Sequence, residues 1–542
     1  MKYYLVLSVL LLNIYCEAQE KLQYHIIQKD QNGFIIPWNN KDVSIAYDQV
    51  IQKVWHFWDS MRTDMNGLPY YMNHQVWRPD RNDPRGLGGD QFAMALESWR
   101  LLYAYTGNER IKENMRFMVD YYLSHGLSRP DDQWPYLPYP YNTLIYSGIY
   151  DGDMILGKGF LQPDKAGSFG IELLRLYKMT AGEIYPNITS ETYLQSAIQI
   201  ANTLATHAKT GDANHSPLPF KVNARISSIG ALYERKPDGS ADTILSNYTS
   251  NWSGTLELWM ELTSMKLGDT VLYKTAFNKV FDWMMTYPVK NNRWGPFFED
   301  VPGWSDTQIN AITFAQFMMN HRDLLPDWNN QVKNIFDWVY TNLANKKWDV
   351  YGVSPINEQT AYRVPGNSHT SRQAAAQLQY SSLTSDPSWT DASIRQLSWA
   401  TYMVDDDGKN KYFQDENWLT DGYGDYIRHY LKAMAFHPAL APNETHLLYS
   451  TSVIQHVFYK DQVGKYYFPP LKETKGLIIN YSSFDLQGEE WIRLKEKPVK
   501  VLFDGKQTDM NSSVLEWSVL SSGGILKIKR SNVKNVSLYG NN

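Results

Sequence analysis

The apolar residues between about residues 47 and 437 recur at the spacing of amphipathic helices. Phe92 and Trp99 fall on one face of a first predicted helix, and a second apolar stripe begins at Ile111. The turn at residues 106–108, Thr-Gly-Asn, separates the two stripes, and a glycine is a common way to end a helix. This stretch therefore predicts a helical hairpin.

The same hairpin pattern is repeated along the chain. A segment around Glu97, Leu-Glu-Ser-Trp-Arg-Leu, is echoed around Glu172 and Glu257, and each copy precedes a polar turn and a second amphipathic stretch. Two further helix pairs are predicted over residues 309–319 with 332–343 and 371–383 with 392–404. Long repeats that share one core predict a mainly α fold, best explained as an (α/α)6-type toroid, with an open solenoid as the alternative.

The pattern changes after about residue 446. Short β-rich runs separated by Gly, Asn, Asp and Pro follow, over residues 453–458, 466–468, 477–481, 491–494, 499–503 and 525–528. They predict a C-terminal antiparallel β-sandwich, which we expect to pack against the toroid rather than to bind sugar independently. The predicted organisation is a signal peptide at 1–18, a catalytic toroid at 19–445 and a sandwich at 446–542.

The N-terminus has the pattern of a secretory signal. Lys2 is followed by a short apolar run over residues 3–12. In the segment 16–18, Cys-Glu-Ala, the small residues Cys16 and Ala18 occupy positions −3 and −1 of a predicted cleavage site before Gln19. Lipid attachment at Cys16, the only cysteine, is the alternative. No later run is long and apolar enough to cross a membrane, so we expect a periplasmic or secreted protein.

Composition narrows the function classes. With 43% hydrophobic and 20% charged residues, the 542-residue chain is too apolar to be disordered. Its 52 basic residues face 57 acidic ones without a long basic run, which argues against a nucleic-acid partner. The 19 Trp and 38 Tyr favour a surface that holds flat, partly apolar ligands such as sugars or peptides.

In a ring of hairpins, the loops that lead into successive inner helices lie together at one open end of the ring. Their aromatic residues suit the faces of sugar rings, and their arginines suit carboxylate or sulfate groups. The predicted substrate-binding residues are Arg78, Arg85, Trp134, Tyr139, Trp252, Arg293, Trp304 and Arg372. Their predicted ligand is an anionic oligosaccharide or polysaccharide. No metal-ligand or phosphate-loop motif is present, so we expect neither a metal nor a cofactor.

A toroid followed by a sandwich, with Gly88-Gly89-Asp90-Gln91 at the start of an inner helix, resembles the helical-toroid carbohydrate-active enzymes. Within that group the chain is similar to uronate-processing enzymes of marine bacteria, namely ulvan-degrading lyases and dehydratases and unsaturated glucuronyl hydrolases. The resemblance implies action on uronic-acid-containing, possibly sulfated glycans.

β-Elimination at a uronate requires that the carboxylate be neutralised, that a base remove the proton at C5 and that the group at C4 leave. We predict that Tyr248 and His369 act as the general base and the general acid, and that His74 helps to neutralise the carboxylate. The product is a 4,5-unsaturated uronate, formed by a lyase when a sugar leaves and by a dehydratase when water leaves.

Two alternatives remain open. A glycoside hydrolase needs two carboxyl groups about 5 to 10 Å apart, and Asp90 with Asp306 or Glu299 is the candidate pair. Asp90 also sits where a helix-capping aspartate is expected on structural grounds alone. A non-catalytic glycan-binding protein is the second alternative.

Overall fold

The computed structural model describes residues 20–61, 63, 67–72, 89–144, 147–153, 155–185, 188–229, 246–297, 303–411, 422–462 and 475–541. Within these ranges, the helices of 12 or more residues are α1 (Val43–Asp59), α2 (Gly89–Thr106), α3 (Glu109–His125), α4 (Pro163–Thr180), α5 (Ser190–His207), α6 (Ser253–Ser264), α7 (Thr270–Met284), α8 (Gln308–Asn320), α9 (Trp328–Leu343), α10 (Asn367–Thr384), α11 (Thr390–Thr401) and α12 (Gly422–Phe436). None of the described helices is long and apolar enough to span a bilayer.

Short polar residues set several helix boundaries. The side chains of Asp42, Asn108 and Asp269 accept hydrogen bonds from backbone N–H groups in the first turns of α1, α3 and α7. Such caps satisfy donors that have no partner inside the helix. Gly107, at φ 68°, follows the last residue of α2, in the left-handed conformation that glycine adopts without strain. The turn predicted at residues 106–108 therefore ends α2 as expected.

The even-numbered helices form the inner layer of a ring, and the odd-numbered helices pack outside them. Neighbouring inner helices are parallel. Near the starts of α4 and α6, a Cβ at Gly167 would collide with the side chain of Thr255, and near their ends Lys178 pairs with Glu261 at 2.6 Å. The ring closes where α12 meets α2. The fold is thus the predicted (α/α)6-type toroid, and the open solenoid is ruled out.

The hydrophobic core is continuous from the toroid into the C-terminal strands. Many of the described tryptophans are almost fully buried in it, among them Trp58, Trp99, Trp252, Trp259, Trp294 and Trp399. Much of the aromatic content that composition assigned to a ligand surface therefore fills the interior of the repeat.

In the described part of the chain, eight two-residue strands precede the sandwich in four antiparallel pairs: β1 (Lys21–Leu22) with β2 (His25–Ile26), β3 (Gln28–Lys29) with β4 (Ile35–Ile36), β5 (Gly152–Asp153) with β6 (Gly157–Lys158) and β7 (Phe160–Leu161) with β8 (Val222–Asn223). The last two pairs belong to the connections that lead into inner helices α4 and α6. They show that these loops are held by local backbone pairing.

The C-terminal part of the chain is an antiparallel sandwich of two sheets. Its strands are β9 (His446–Ser450), β10 (Ile454–Tyr459), β11 (Leu477–Ser483), β12 (Gly488–Leu494), β13 (Lys500–Phe503), β14 (Lys506–Thr508), β15 (Leu515–Val519), β16 (Gly524–Arg530) and β17 (Asn535–Tyr539). One sheet has the order β10-β11-β17-β13-β14 and the other β15-β16-β12-β9. The predicted fold class, a toroid followed by an antiparallel β-sandwich, is confirmed.

The sandwich caps the C-terminal ends of inner helices. Gln455 donates to the carbonyl of Lys178 at 2.9 Å, and the hydroxyl of Tyr459 donates to the carbonyl of Ala104. Carbonyls in the last turn of a helix have no partner inside it, so donors from outside stabilise that end. The sandwich is therefore packed against the toroid as one body.

Candidate active site

A central cavity of about 540 Å³ lies inside the ring. It is lined by residues of α2, α4, α6, α8 and α12 and, beyond the C-terminal ends of these helices, by residues 449–453 and Asp485 of the sandwich. The lining is rich in charged and amide side chains, and its volume is in the range of small-molecule sites in proteins. This cavity is the candidate active site.

A repeated acidic-x-x-Arg unit lines the cavity on successive inner helices. The members of this ion-pair belt are Asp425 and Arg428 on α12, Glu97 and Arg100 on α2, Glu172 and Arg175 on α4, and Glu257 on α6; all of them except the buried Asp425 line the cavity. Each arginine reaches the acid of the next helix: Arg428 contacts Glu97 at 2.5 Å, Arg100 contacts Glu172 at 3.3 Å and Arg175 contacts Glu257 at 2.5 Å. The glutamate repeat seen in the sequence thus faces the ring interior and links neighbouring helices.

The cations of the belt hold Glu97 and Glu257 ionised. Burial by itself raises the pKa of Glu97, but Lys432 and Arg428 outweigh it and hold that pKa well below its usual range. For Glu257, burial is likewise outweighed by Arg175, with a smaller contribution from His321, and its pKa falls to about 2. Neither glutamate is therefore a proton donor at neutral pH.

The end of the cavity at the inner-helix N-termini contains a buried ammonium group. Lys165, at the start of α4, donates to Asp164 at 2.8 Å and to the carbonyl of Phe297 at 3.0 Å. Asn251 donates to the same Asp164 carboxylate at 2.9 Å, and Met94 lies beside Phe297 in a small apolar cluster. The cavity here offers charge, an amide and an apolar face, which together suit a sugar.

Three of the predicted site residues lie together outside the cavity. The Arg293 guanidinium is 4.2 Å from the centre of the Trp304 ring and 5.3 Å from that of Tyr248. Tyr248 is fully buried, and its hydroxyl donates to the carbonyl of Arg293 at 2.6 Å. Burial, the largest influence, raises the pKa of Tyr248. The Trp304 indole donates to Asp306 at 3.0 Å, so this cluster is held by internal contacts.

His369 and Arg372 lie together in the first turns of α10 and are both fully buried. Arg372 donates to the Gln308 side chain at 2.8 Å and forms an ion pair with Asp425. Burial, aided by the charge of Arg372, holds the pKa of His369 well below its usual range. The imidazole is therefore neutral at physiological pH.

The predicted aromatic platforms are also structural. Trp134 is buried and stacks on His207, with ring centres 3.9 Å apart. Trp252 is buried and donates to the carbonyl of Thr249 at 2.7 Å, while Tyr139 is half-buried with a pKa raised by burial to about 12. None of these three lines the central cavity.

Other predictions fall outside the described residues. These are His74, Arg78, Arg85, Glu299, the segment 1–18 with Cys16, and the side chain of Asp90, whose backbone lies in α2. Their predicted roles stay predictions.

The residues that line the cavity at its two ends were not among the predicted site residues, although Lys165 and Asn251 lie in loops that were expected to carry the chemistry. Lys165, Asn251, His321 and Lys178 are single residues near helix ends without a distinctive spacing. The belt arginines did carry a signal, because Arg100, Arg175 and the corresponding Arg428 each follow an acidic residue by three positions.

No protein-family model matches the sequence, and no curated protein matches it. The fold, however, has solved counterparts. A sugar epimerase from a ruminal bacterium aligns with a TM-score of 0.50 at 11% identity, over 71% of this chain and 97% of the epimerase. A cellobiose 2-epimerase from Bacillus thermoamylovorans B4167 gives the same values. A D-mannose isomerase aligns with a TM-score of 0.50 at 11% identity, over 74% of this chain and 98% of its own. The chain therefore shares its toroid fold with carbohydrate-active enzymes.

Proposed function

We propose that the protein is an exported carbohydrate-processing enzyme that binds a uronate-containing, anionic glycan in the central cavity and acts on it by β-elimination. The proposal is supported by the shared fold with enzymes that act on sugars and by the secretory pattern of the N-terminus. The main supporting observation is that the N-termini of the inner helices surround the end of the cavity that contains Lys165.

The anionic substrate follows from the electrostatics of that end. Each parallel inner helix directs a partial positive charge of about half an elementary charge toward it. Lys165 adds a full charge that is balanced by Asp164, so the helix ends leave the region favourable for a carboxylate or sulfate. Asn251 and Ser168, which also line the cavity, supply neutral hydrogen-bonding groups.

In an elimination, a donor set of this kind stabilises the charge that develops on the carboxylate as the C5 proton leaves. Removing one such donor from a preorganised site typically costs a factor of about 100 to 1,000 in rate. Tyr248 and His369 remain the predicted acid–base pair. Neither lines the cavity in this structure, so substitution must test their roles.

A hydrolase of the glucuronyl hydrolase type is the second candidate. It is favoured by the four glutamates that line the cavity: Glu97, Glu172, Glu257 and Glu261. A hydrolase also needs a carboxylic acid with a raised pKa as its proton donor. Since the pKa values of Glu97 and Glu257 are lowered, neither of these two glutamates is suited to be that donor.

Incubation of the full chain with uronate-containing oligosaccharides separates these reactions. Elimination raises the ultraviolet absorbance of a conjugated unsaturated uronate, whereas hydrolysis gives new reducing ends without it. A protein that binds the oligosaccharide and changes neither signal is a glycan-binding protein, and that outcome refutes the proposal.

The double variant Asp164→Asn/Lys165→Gln tests the site without leaving one buried charge alone. We expect its elimination rate to fall about 100-fold, with an unchanged circular dichroism spectrum. Lys333→Gln, on the exposed face of α9, is the control and is expected to retain full activity.

A further inference from the structure

A second, smaller cavity of about 140 Å³ lies at the opposite end of the ring from Lys165, between α2, α12 and strand β9. It adjoins the central cavity, because Arg100, Lys432, Asn320 and Tyr449 line both. We call it the side pocket. A cavity of about 150 Å³ holds benzene, so the side pocket has room for one six-membered ring, and the substituents of that ring can extend into the adjoining central cavity.

The charges that line the side pocket are of one sign. Among the described residues around it, Arg100 and Lys432 are charged and no carboxylate takes part. This differs from the central cavity, where acids and bases alternate. Nearby helix-end carbonyls of Ala104 and Tyr105 are occupied by donors from Tyr459 and His446 of the sandwich, which reduces the negative character of this end.

Both cations have hydrogen-bonding capacity left for a ligand. Arg100 makes one hydrogen bond within the described protein, from Nε to Glu172 at 3.3 Å. Its two terminal nitrogens are not among the buried polar atoms that lack a partner, so they remain accessible from the cavities. Lys432 pairs with Glu97 at 2.7 Å through one of its three N–H groups, and burial lowers the pKa of Lys432. An anion beside Lys432 stabilises its charged form.

The remaining wall suits the rest of a sugar. Amides line one side, where Gln379 donates to Asn320 at 2.8 Å, and the aromatic rings of Phe436 and Tyr449 lie at the other with centres 5.7 Å apart. Amides bind hydroxyl groups and aromatic surfaces pack against C–H groups. The pocket is thus cationic, amide-lined and partly apolar at once.

We infer that the side pocket binds a uronic acid monosaccharide, with its carboxylate on Arg100 and Lys432. This site is distinct from the proposed reaction at the inner-helix N-termini, and it is formed by the toroid and the sandwich together. The ligand class is inferred from the two cations, the amide and aromatic side chains and the size of the side pocket. It does not depend on the chemistry proposed at the other end of the ring.

Calorimetric titration of the full chain with glucuronate, glucose and sulfate tests the inference. We expect glucuronate to bind and glucose to bind at least about tenfold more weakly, because a charge-assisted hydrogen bond contributes a factor of about 10 to 100 in affinity. Glucose that binds as tightly as glucuronate, or sulfate that does so, refutes a site that recognises a carboxylate on a ring.

Three variants locate the binding. Arg100→Gln and Lys432→Gln each remove one cation, yet Glu172 keeps Arg175 and Glu97 keeps Arg428, so the fold is expected to persist. Each is expected to weaken glucuronate binding about 10- to 100-fold. Ala104→Leu fills the side pocket without a change of charge and is expected to abolish the binding that depends on Arg100 and Lys432.

Arg110→Gln and Lys333→Gln make the same chemical changes at exposed ion pairs and serve as controls with unchanged affinity. If glucuronate binds the three pocket variants as tightly as the wild type, the inference is overturned. Calorimetry reports binding whether or not elimination occurs, so failure of the proposed reaction does not affect this test.

Discussion

Arg175→Met is expected to destabilise the toroid strongly, because it removes the cation shared by two buried glutamates. Arg175 lies 2.5 Å from both Glu172 and Glu257. Glu172 retains Arg100 at 3.3 Å, whereas Glu257 is left with His321 at 3.8 Å. A buried carboxylate that loses its partner typically costs several kcal/mol.

The lowered pKa of Glu257 gives the magnitude. A value of about 2 in place of 4.5 corresponds to about 3 kcal/mol in favour of the charged form, and Arg175 is the largest contributor that lowers it. In a chain of this size the unfolding entropy is on the order of 1 kcal/mol per degree, so the midpoint of thermal unfolding is expected to fall by about 3 °C at pH 7.

The effect should depend on pH in a defined direction. In the wild type the folded pKa of Glu257 lies below the unfolded one, so its stabilisation is complete above about pH 4.5 and is lost as the pH falls toward 2. In the variant, burial raises the folded pKa above 4.5, so ionised Glu257 opposes folding at neutral pH. The stability gap between variant and wild type should therefore narrow as the pH falls from 7 to 4, through the raised pKa of the variant, and should continue to close toward pH 2.

Differential scanning calorimetry at pH 7 and pH 4 measures both effects. Arg175→Met/Glu257→Gln is expected to recover most of the loss, because no unpaired charge remains at that position. Arg110→Met, at an ion pair whose arginine side chain is 64% exposed, is the matched control and should change the midpoint little. A loss that is the same at both pH values, or that the double variant does not recover, refutes the reasoning.

Three further changes test other parts of the structure. Tyr248→Phe deletes the hydroxyl that donates to Arg293 and is expected to cost about 1 kcal/mol of stability; full elimination activity in this variant contradicts the predicted catalytic role. Gly167→Val inserts a branched side chain against Thr255 where α4 meets α6, and little folded protein is expected on size-exclusion chromatography. Gln455→Ala removes two hydrogen bonds to carbonyls at the end of α4 and is expected to lower the thermal midpoint by about 1 to 2 °C, measured by calorimetry.

The helices were predictable because each repeat must bury an apolar stripe. The predicted helices 309–319 and 371–383 correspond to Gln308–Asn320 and Asn367–Thr384. Strands were harder: Leu515–Val519 alternates apolar and polar residues, but it was missed because it is short and most of its residues are exposed. Short edge strands of this kind depend on pairing with a partner, which a local pattern does not encode.

The candidate site was less predictable for a physical reason. A loop of Trp, Tyr and Arg is equally suited to bind a sugar or to pack against its own scaffold, and Trp134 and Arg372 do the latter. Conversely, Lys165 carries no motif and gains its position from the ring. Side chains that face one another across a cavity are determined by tertiary closure, which residue spacing alone does not reveal.

Closure itself is explained by the ion-pair belt. Arg428 and Glu97 are 331 positions apart, yet they meet with the same geometry as Arg175 and Glu257, which belong to consecutive inner helices. The seam also contains a hydrogen bond from Ser98 to the carbonyl of Gly424. In an open solenoid Glu97 would lack its contacts with Arg428 and Lys432, and Arg428 would keep only Asp425 of its own helix. The same acidic-x-x-Arg unit on α12 and α2 therefore favours the ring over the solenoid, because closing the ring satisfies both ends at once.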